Sequence, residues 1–281
     1  MPSMKIIKRR IASVSNTQQI MKAMNLVAAS KLQKAKSRLD AIRPLFYEVK
    51  RVMDGVHCED TMGNVFLEAR EVKNVAYIVI TSDRGLCGGY NANISKETLS
   101  FINNAGKNEK IITVGLKGWE YFRRRGKNIL RRYMGVSETS FYEDVEQIGN
   151  QLASLYKSGE IDEAYVAYTH FASMLSHVPR IVRVLPIGYK ETADKHDMME
   201  YEPDVNTFLE RAVPRYLSVI IYGSMAESAV CEQVARMMSM DSASNNAEEI
   251  IEELTLDFNR KRQGIITQEV SEIVSGANAL Q

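Results

Sequence analysis

The stretch from Pro214 to Gln281 contains no proline after its first residue and only three glycines, Gly223, Gly264 and Gly276, so little in it would stop a helix. Within it Ala247, Ile251, Leu254, Phe258 and Ile265 follow the four-and-three spacing of a coiled-coil seam, interrupted at Lys261. At the rise of an α-helix the stretch would span on the order of 100 Å. A helix of that length can bury a seam only against another long element.

The opposite end of the chain supplies one. A heptad register starts at Ile7 and runs through Ile11, Val14, Gln18, Met21, Asn25, Ala28, Leu32, Ala35, Leu39, Ile42, Phe46, Val49 and Met53, with Gln18 and Asn25 its polar members. A sustained seven-residue period predicts a left-handed supercoil with a partner, and the two polar positions fix its register. Pro44 removes a backbone donor inside this pattern and predicts a kink near Arg43. Charge points the same way. Residues 1–55 carry twelve Lys or Arg against three Asp or Glu, a surplus of nine, while residues 204–281 carry six basic and twelve acidic side chains, a deficit of six. The net charge of +1 hides two complementary ends.

No run of 18 or more apolar residues occurs, so no transmembrane helix is predicted. The opening MPSMKIIKRR is basic and amphipathic like a transit peptide, but the heptad pattern passes through it, and it reads as mature structure. Cys58, Cys87 and Cys231 lack metal-type or CxxC spacing and read as reduced packing residues. The basic side chains Lys5, Lys8, Arg9, Arg10, Lys22, Lys31, Lys34, Lys36 and Arg38 lie mostly off the seam, as a solvated face or as a surface for an anionic partner. A nucleic-acid partner would call for interleaved aromatics, which the segment lacks. From Gly55 to Val72 the pattern is lost; His57, Cys58, Glu59, Asp60 and Gly63 read as a connector without metal-ligand spacing.

Between Lys73 and Gly188 the period changes. Val75–Thr81, Lys110–Val114, Ile129–Tyr133 and Glu163–Phe171 read as strands, with a fifth at Ile181–Ile187; helical patterns fall at Tyr90–Asn103, Lys117–Arg125 and Tyr142–Lys157. Such alternation predicts a Rossmann-like α/β domain. Glu191–Pro203 reads as a polar loop. The expected organisation is an N-terminal coil helix at 1–56, an α/β domain at 73–190 and a C-terminal coil helix at 204–281.

After the first predicted strand, Ser82-Asp83-Arg84-Gly85-Leu86-Cys87-Gly88-Gly89 makes a glycine-rich turn where a dinucleotide fold would cradle phosphate. The spacing is GxxGG rather than GxGxxG, and no GxxxxGK[ST] occurs. The glycines are better explained by a tight turn and close helix-on-sheet packing. None of His57, His170, His177 and His196 has a sequence-local nucleophile or paired carboxylate, so no catalytic, metal or cofactor-binding residue is assigned. A nucleotide-binding enzyme at Gly85–Gly89 and a nucleic-acid binder using the basic N-terminal face remain the alternatives.

Three segments carry a resemblance: IKRRIASVSNTQQIMKAMNLVAASKLQKAK, TSDRGLCGGYNANI and MDSASNNAEEIIEELTLDFNRKRQGIITQEVSEIVSGANAL. Together they resemble the gamma subunit family of F-type ATP synthases, over nearly the whole chain. The resemblance implies a non-catalytic central shaft, one copy per complex, whose two terminal helices form an antiparallel coil inside a ring of alternating alpha and beta subunits. It implies that Lys22, Met24 and Asn25, with the basic Arg9 and Lys31, face the acidic lever loop of beta. It further implies that Arg236, Arg262, Gln263 and Thr267 make polar contacts with the catalytic subunits. Val270, Ile273, Val274, Gly276, Ala277, Ala279 and Leu280 would form an apolar bearing tip. Tyr201, Glu202 and Asp204 would lie at a foot against the membrane ring and the epsilon subunit. The plastid members' cysteine-containing regulatory segment has no counterpart here, which implies a bacterial subunit without thiol control. Its place would be peripheral, on the cytoplasmic side of the plasma membrane.

Overall fold

The computed structural model describes residues 4–54, 64–67, 70–135, 142–174, 176–187 and 204–279. The elements in chain order are α1 (Met4–Asp54), β1 (Asn74–Ile80), α2 (Tyr90–Ala105), β2 (Asn108–Val114), α3 (Leu116–Arg123), β3 (Ile129–Tyr133), α4 (Tyr142–Lys157), β4 (Glu163–Phe171), β5 (His177–Leu185) and α5 (Val205–Ala279). They form two compact units, one of residues 1–29 with 236–281, the other of residues 30–235.

In the smaller unit, the first half of α1 lies antiparallel to the second half of α5. The heptad positions explain why. Ile7 and Ala28 are buried, and Ile11, Val14, Gln18, Met21 and Asn25 are half-buried, while most intervening residues are exposed. On α5 the matching row is Met240, Ser244 and Ala247, all buried, then Ile251, Leu254, Phe258 and Lys261, half-buried. The two polar seam residues are satisfied across the pair. Gln18 Nε2 donates to Ser244 O at 3.3 Å and Glu248 Oε2 at 3.4 Å, and Asn25 Nδ2 donates to Met237 O at 3.2 Å. The two sites lie seven residues apart on each helix and run in opposite directions, which pins one antiparallel register. Ile265 departs from expectation: it is 43% exposed. The half-buried row on α5 ends at Lys261, and on α1 the first buried seam residue among the described residues is Ile7.

The larger unit is a five-stranded sheet of order β3-β2-β1-β4-β5, parallel except for β5, which pairs antiparallel with β4 at one edge. Val75 to Ile80 are buried on both sides of β1, the continuous apolar run expected of a central parallel strand. On one face Ile78, Ile80, Ile112, Val114 and Val166 pack against Val145, Ile148, Leu152 and Tyr156 of α4 and Leu209, Val213, Leu217 and Ile221 of α5. On the other, Tyr77, Val79 and Ile111 meet Ile94 and Ile102 of α2 and Phe122 of α3. The second half of α1 contributes Leu39, against Val230 and Val234 of α5.

Two boundaries differ from the sequence reading by more than three residues. The last helix begins at Val205, not Pro214: Asp204 caps it through Thr207 N at 2.9 Å and Thr207 Oγ1 at 2.7 Å, and Pro214 lies inside. Pro44 lies inside α1, as the heptad pattern through it expects, and the helix continues to Asp54. Strand β5 starts at His177 rather than Ile181, because an edge strand tolerates the polar and proline residues that lowered its apolar signal. The Glu191–Pro203 loop and Cys58 lie outside the described residues.

Candidate partner surface

The smaller unit carries the chain's most unusual surface. Twelve of the 21 large apolar side chains that stand exposed among the described residues belong to it, although it is much the smaller unit. On α1 these include Ile20, Leu26 at 73% exposure and Val27; on α5 they include Ile250 and Leu256. All are off the seam, so pairing of the two helices leaves them uncovered. From Arg262 to Ser275 every residue of α5 is exposed. There Ile265, Ile266, Val270, Ile273 and Val274 fall within about half the helix circumference at 100° per residue. This is a one-sided apolar helix without an intramolecular cover, the pattern of an interaction surface.

Around it stand the residues named from sequence. Arg9 and Lys22 are exposed, Met24 is half-buried, and Asn25 is half-buried and committed to the Met237 carbonyl. Arg262, Gln263 and Thr267 are exposed, with Thr267 Oγ1 donating to Gln263 O at 2.9 Å. Arg236 is only 7% exposed and offers a partner little surface. Lys31, in the larger unit, is half-buried. Asp204 is exposed, its carboxyl held below the usual range by its hydrogen bonds to Thr207. The side chains of Gly276, Ala277 and Ala279, and all of Tyr201, Glu202 and Leu280, fall outside the described residues. Residue type and spacing did not single out Ile20, Leu26 and Val27; their signal is apolar character at positions that a strict heptad leaves outward.

The glycine-rich turn of the larger unit is braced internally. Ser82 N donates to Asn91 Oδ1 at 2.9 Å, and Asn91 Nδ2 donates to Ser82 Oγ at 2.7 Å and Cys87 Sγ at 3.1 Å. Asp83 accepts from Leu116 N and Gly135 N, each at 3.0 Å, so its carboxylate ties the turn to the N-terminus of α3 and to the end of β3. Gly88 meets the expectation of a tight turn with φ +54. The close approach, however, belongs to other glycines: a Cβ on Gly115 (φ +95) would stand 2.7 Å from Thr81 C, and one on Gly118 2.8 Å from Thr81 Oγ1.

His170 does gain a carboxylate partner, Glu227 Oε2 of α5 at 2.7 Å, from 57 residues away. Cys87 and Cys231 form no disulfide and are buried in one cluster with Tyr90. Burial, and secondarily Glu227, pushes the Cys231 thiol up to about 12, consistent with a packing role. Among the described residues no group of three or more metal-ligating side chains occurs, and no helix is long and apolar enough to cross a membrane.

A helix pair with its own seam and a second, outward set of apolar side chains is the pattern of a stalk protein with an interaction surface. Residues 3–280 match the ATP synthase family. The ATP synthase gamma chain of Alkaliphilus metalliredigens is 40% identical, covering 99% of both chains. The sodium ion specific ATP synthase gamma chain of Acetobacterium woodii is 39% identical over 98% of this chain and 97% of its own. Among solved structures, a chain of the Euglena gracilis mitochondrial ATP synthase superposes with a TM-score of 0.71 at 16% identity, covering 99% of this chain and 94% of that one, a likeness of fold. The chain belongs to the ATP synthase gamma chain family, whose members are a non-catalytic stalk subunit of the ATP synthase complex.

Proposed function

We propose that this chain is the rotor shaft that couples ion-driven turning of the membrane c-ring to ATP synthesis or hydrolysis at alpha and beta subunits. The observation that carries this reading is the outward apolar surface of the smaller unit, which needs an encircling partner. A two-helix shaft has no threefold symmetry, so three surrounding catalytic sites meet different faces of it. Turning then shifts nucleotide affinity from site to site through differential contacts. Residues 1–56 and 204–281 form the shaft, and 73–190 the α/β domain facing the membrane ring.

Arg9, Lys22, Met24, Asn25 and Lys31 on α1, and Arg236, Arg262, Gln263 and Thr267 on α5, would meet alpha and beta. Of these Arg236 has the least free surface. Val270, Ile273, Val274, Ala277 and Leu280 would form the bearing, where apolar contacts leave few directional hydrogen bonds to break on sliding. Tyr201, Glu202 and Asp204 would meet the epsilon subunit and the c-ring. One copy would serve each complex, on the cytoplasmic side of a bacterial plasma membrane.

The test compares seam and tip in the assembled complex. Leu254→Asp or Phe258→Asp places a charge in the half-buried seam and should abolish coupled ATP synthesis, whereas deletion of the last few residues should leave most of it. Equal loss from both would count against a seam that carries torque.

A further inference from the structure

We propose that the larger unit binds a small tetrahedral oxyanion, of the kind of inorganic phosphate, in a cavity between the first turn of α2 and the β4–β5 edge. The inference is independent of the shaft reading. The cavity has a volume of about 140 Å³ and is lined by Gly89, Tyr90, Asn93, Thr169, His177, Pro179 and Ala235. At about 30 Å³ per water it has room for about four waters, and so for one such oxyanion, but falls well short of the about 300 Å³ at which sites for larger ligands begin. A nucleotide does not fit.

Two buried polar atoms on its wall have no protein partner, Thr169 Oγ1 and His177 Nδ1. Thr169 is only 3% exposed, so water outside cannot satisfy it. Both come from one face of the sheet: Thr169 pairs with Pro179 across β4 and β5, and His177 lies two residues before Pro179. The hydroxyl donates, and the imidazole donates in the tautomer that carries its proton on Nδ1.

Facing them is the N-terminus of α2, a 16-residue helix whose N-cap is Gly89, with no side-chain cap and no acidic residue in the first turn. Its partial positive charge is therefore not countered by its own sequence. No carboxylate is among the lining residues, and the two of α5 that act on neighbouring groups are engaged elsewhere. Glu227 is held by His170 Nδ1 and by Phe171 N at 3.4 Å, and Glu232 is buried where its charge acts on Tyr90.

The test uses the full-length chain with isotope-labelled histidine, the His177 resonance being assigned through His177→Asn. Inorganic phosphate is titrated at constant ionic strength, with sulfate and chloride in parallel. Phosphate should shift His177 saturably and chloride should not. A matching response to sulfate identifies a general oxyanion site, and a response to phosphate alone a phosphate-selective one. Thr169→Val, which deletes one donor to a charged ligand, should weaken binding about tenfold or more, and Thr169→Ser should restore it. A linear response equal to that of chloride, or a saturable one that Thr169→Val leaves unchanged, would mean water or an adventitious ion only and overturn the proposal.

Discussion

Two leucines on α1 offer a matched perturbation, because the same truncation removes different interactions. Leu39 is 3% exposed and packs on Val230 and Val234, which are fully buried. Leu39→Ala deletes buried carbon and leaves a cavity that rigid helices fill poorly, so the free chain should lose about 2 to 5 kcal/mol. Leu26 is 73% exposed. Truncating it should move the stability of the free chain by no more than about 0.5 kcal/mol. If a sleeve of catalytic subunits covers Leu26, roughly three quarters of the about 1.5–3 kcal/mol worth of a buried leucine is gained only on assembly. Leu26→Ala should then weaken association by about 1 to 2 kcal/mol, or roughly 5- to 30-fold. Urea denaturation of the purified chain reads the first quantity, and dissociation of the alpha–beta assembly from the chain reads the second. Comparable destabilisation of the free chain by both variants, or an assembly indifferent to Leu26→Ala, would refute the division into an inner seam and an outer contact face.

Three further outcomes follow from the larger unit. Gly149→Ala would put a Cβ against the Ser218 hydroxyl and, in the backbone, 2.9 Å from Pro214 O and 3.0 Å from Ser218 N. Because the obstacle includes backbone, overpacking should outweigh the helix-propensity gain and lower the urea stability by about 1 to 2 kcal/mol; an unchanged midpoint would contradict the close α4–α5 contact. Burial alone would raise the Asp162 carboxyl, but Asn74 N and Lys73 N, each donating at 2.9 Å, with Arg70 and Lys73 charges, hold it below its ordinary value. A depressed folded value stabilises the chain fully above the unfolded value of about 3.9, and that contribution disappears as pH falls through the folded one. Asp162→Asn should flatten this acid limb of the stability profile, and an unaltered limb would remove Asp162 as its source. With its thiol pushed up to about 12 and no exposed surface, Cys231 should resist alkylation in the native chain at neutral pH and react after unfolding; rapid native labelling, read by mass spectrometry, would contradict its burial.

Local pattern made much of this architecture legible. The seam from Ile7 to Met53 could be read because each member is apolar or, at Gln18 and Asn25, placed to reach a facing group. Strands β3 and β4 and helix α4 have the bounds their periodicity indicates. What stayed hidden depends on partners distant in sequence. Asp204 as a cap was obscured by Pro214, which looks like a first-turn proline. Glu227 reaches His170 and Ser228 Oγ accepts from Thr169 N only because α5 crosses the end of β4. The role of Gly115 rests on Thr81, 34 residues earlier, and the GxxGG motif drew attention away from it. The outward apolar residues were legible as residue types, but their significance depends on exposure, which periodicity alone does not give.

Paired helices that form a shaft turned inside a catalytic ring must be held by that ring in the cell. The most direct test is affinity purification of the tagged chain from native membranes, followed by stoichiometric mass analysis. One copy of the chain should be recovered with an alpha–beta hexamer, the epsilon subunit and the membrane ring. Recovery free of that hexamer, or with dehydrogenase-like or ribosomal proteins instead, would contradict a shaft held in that ring.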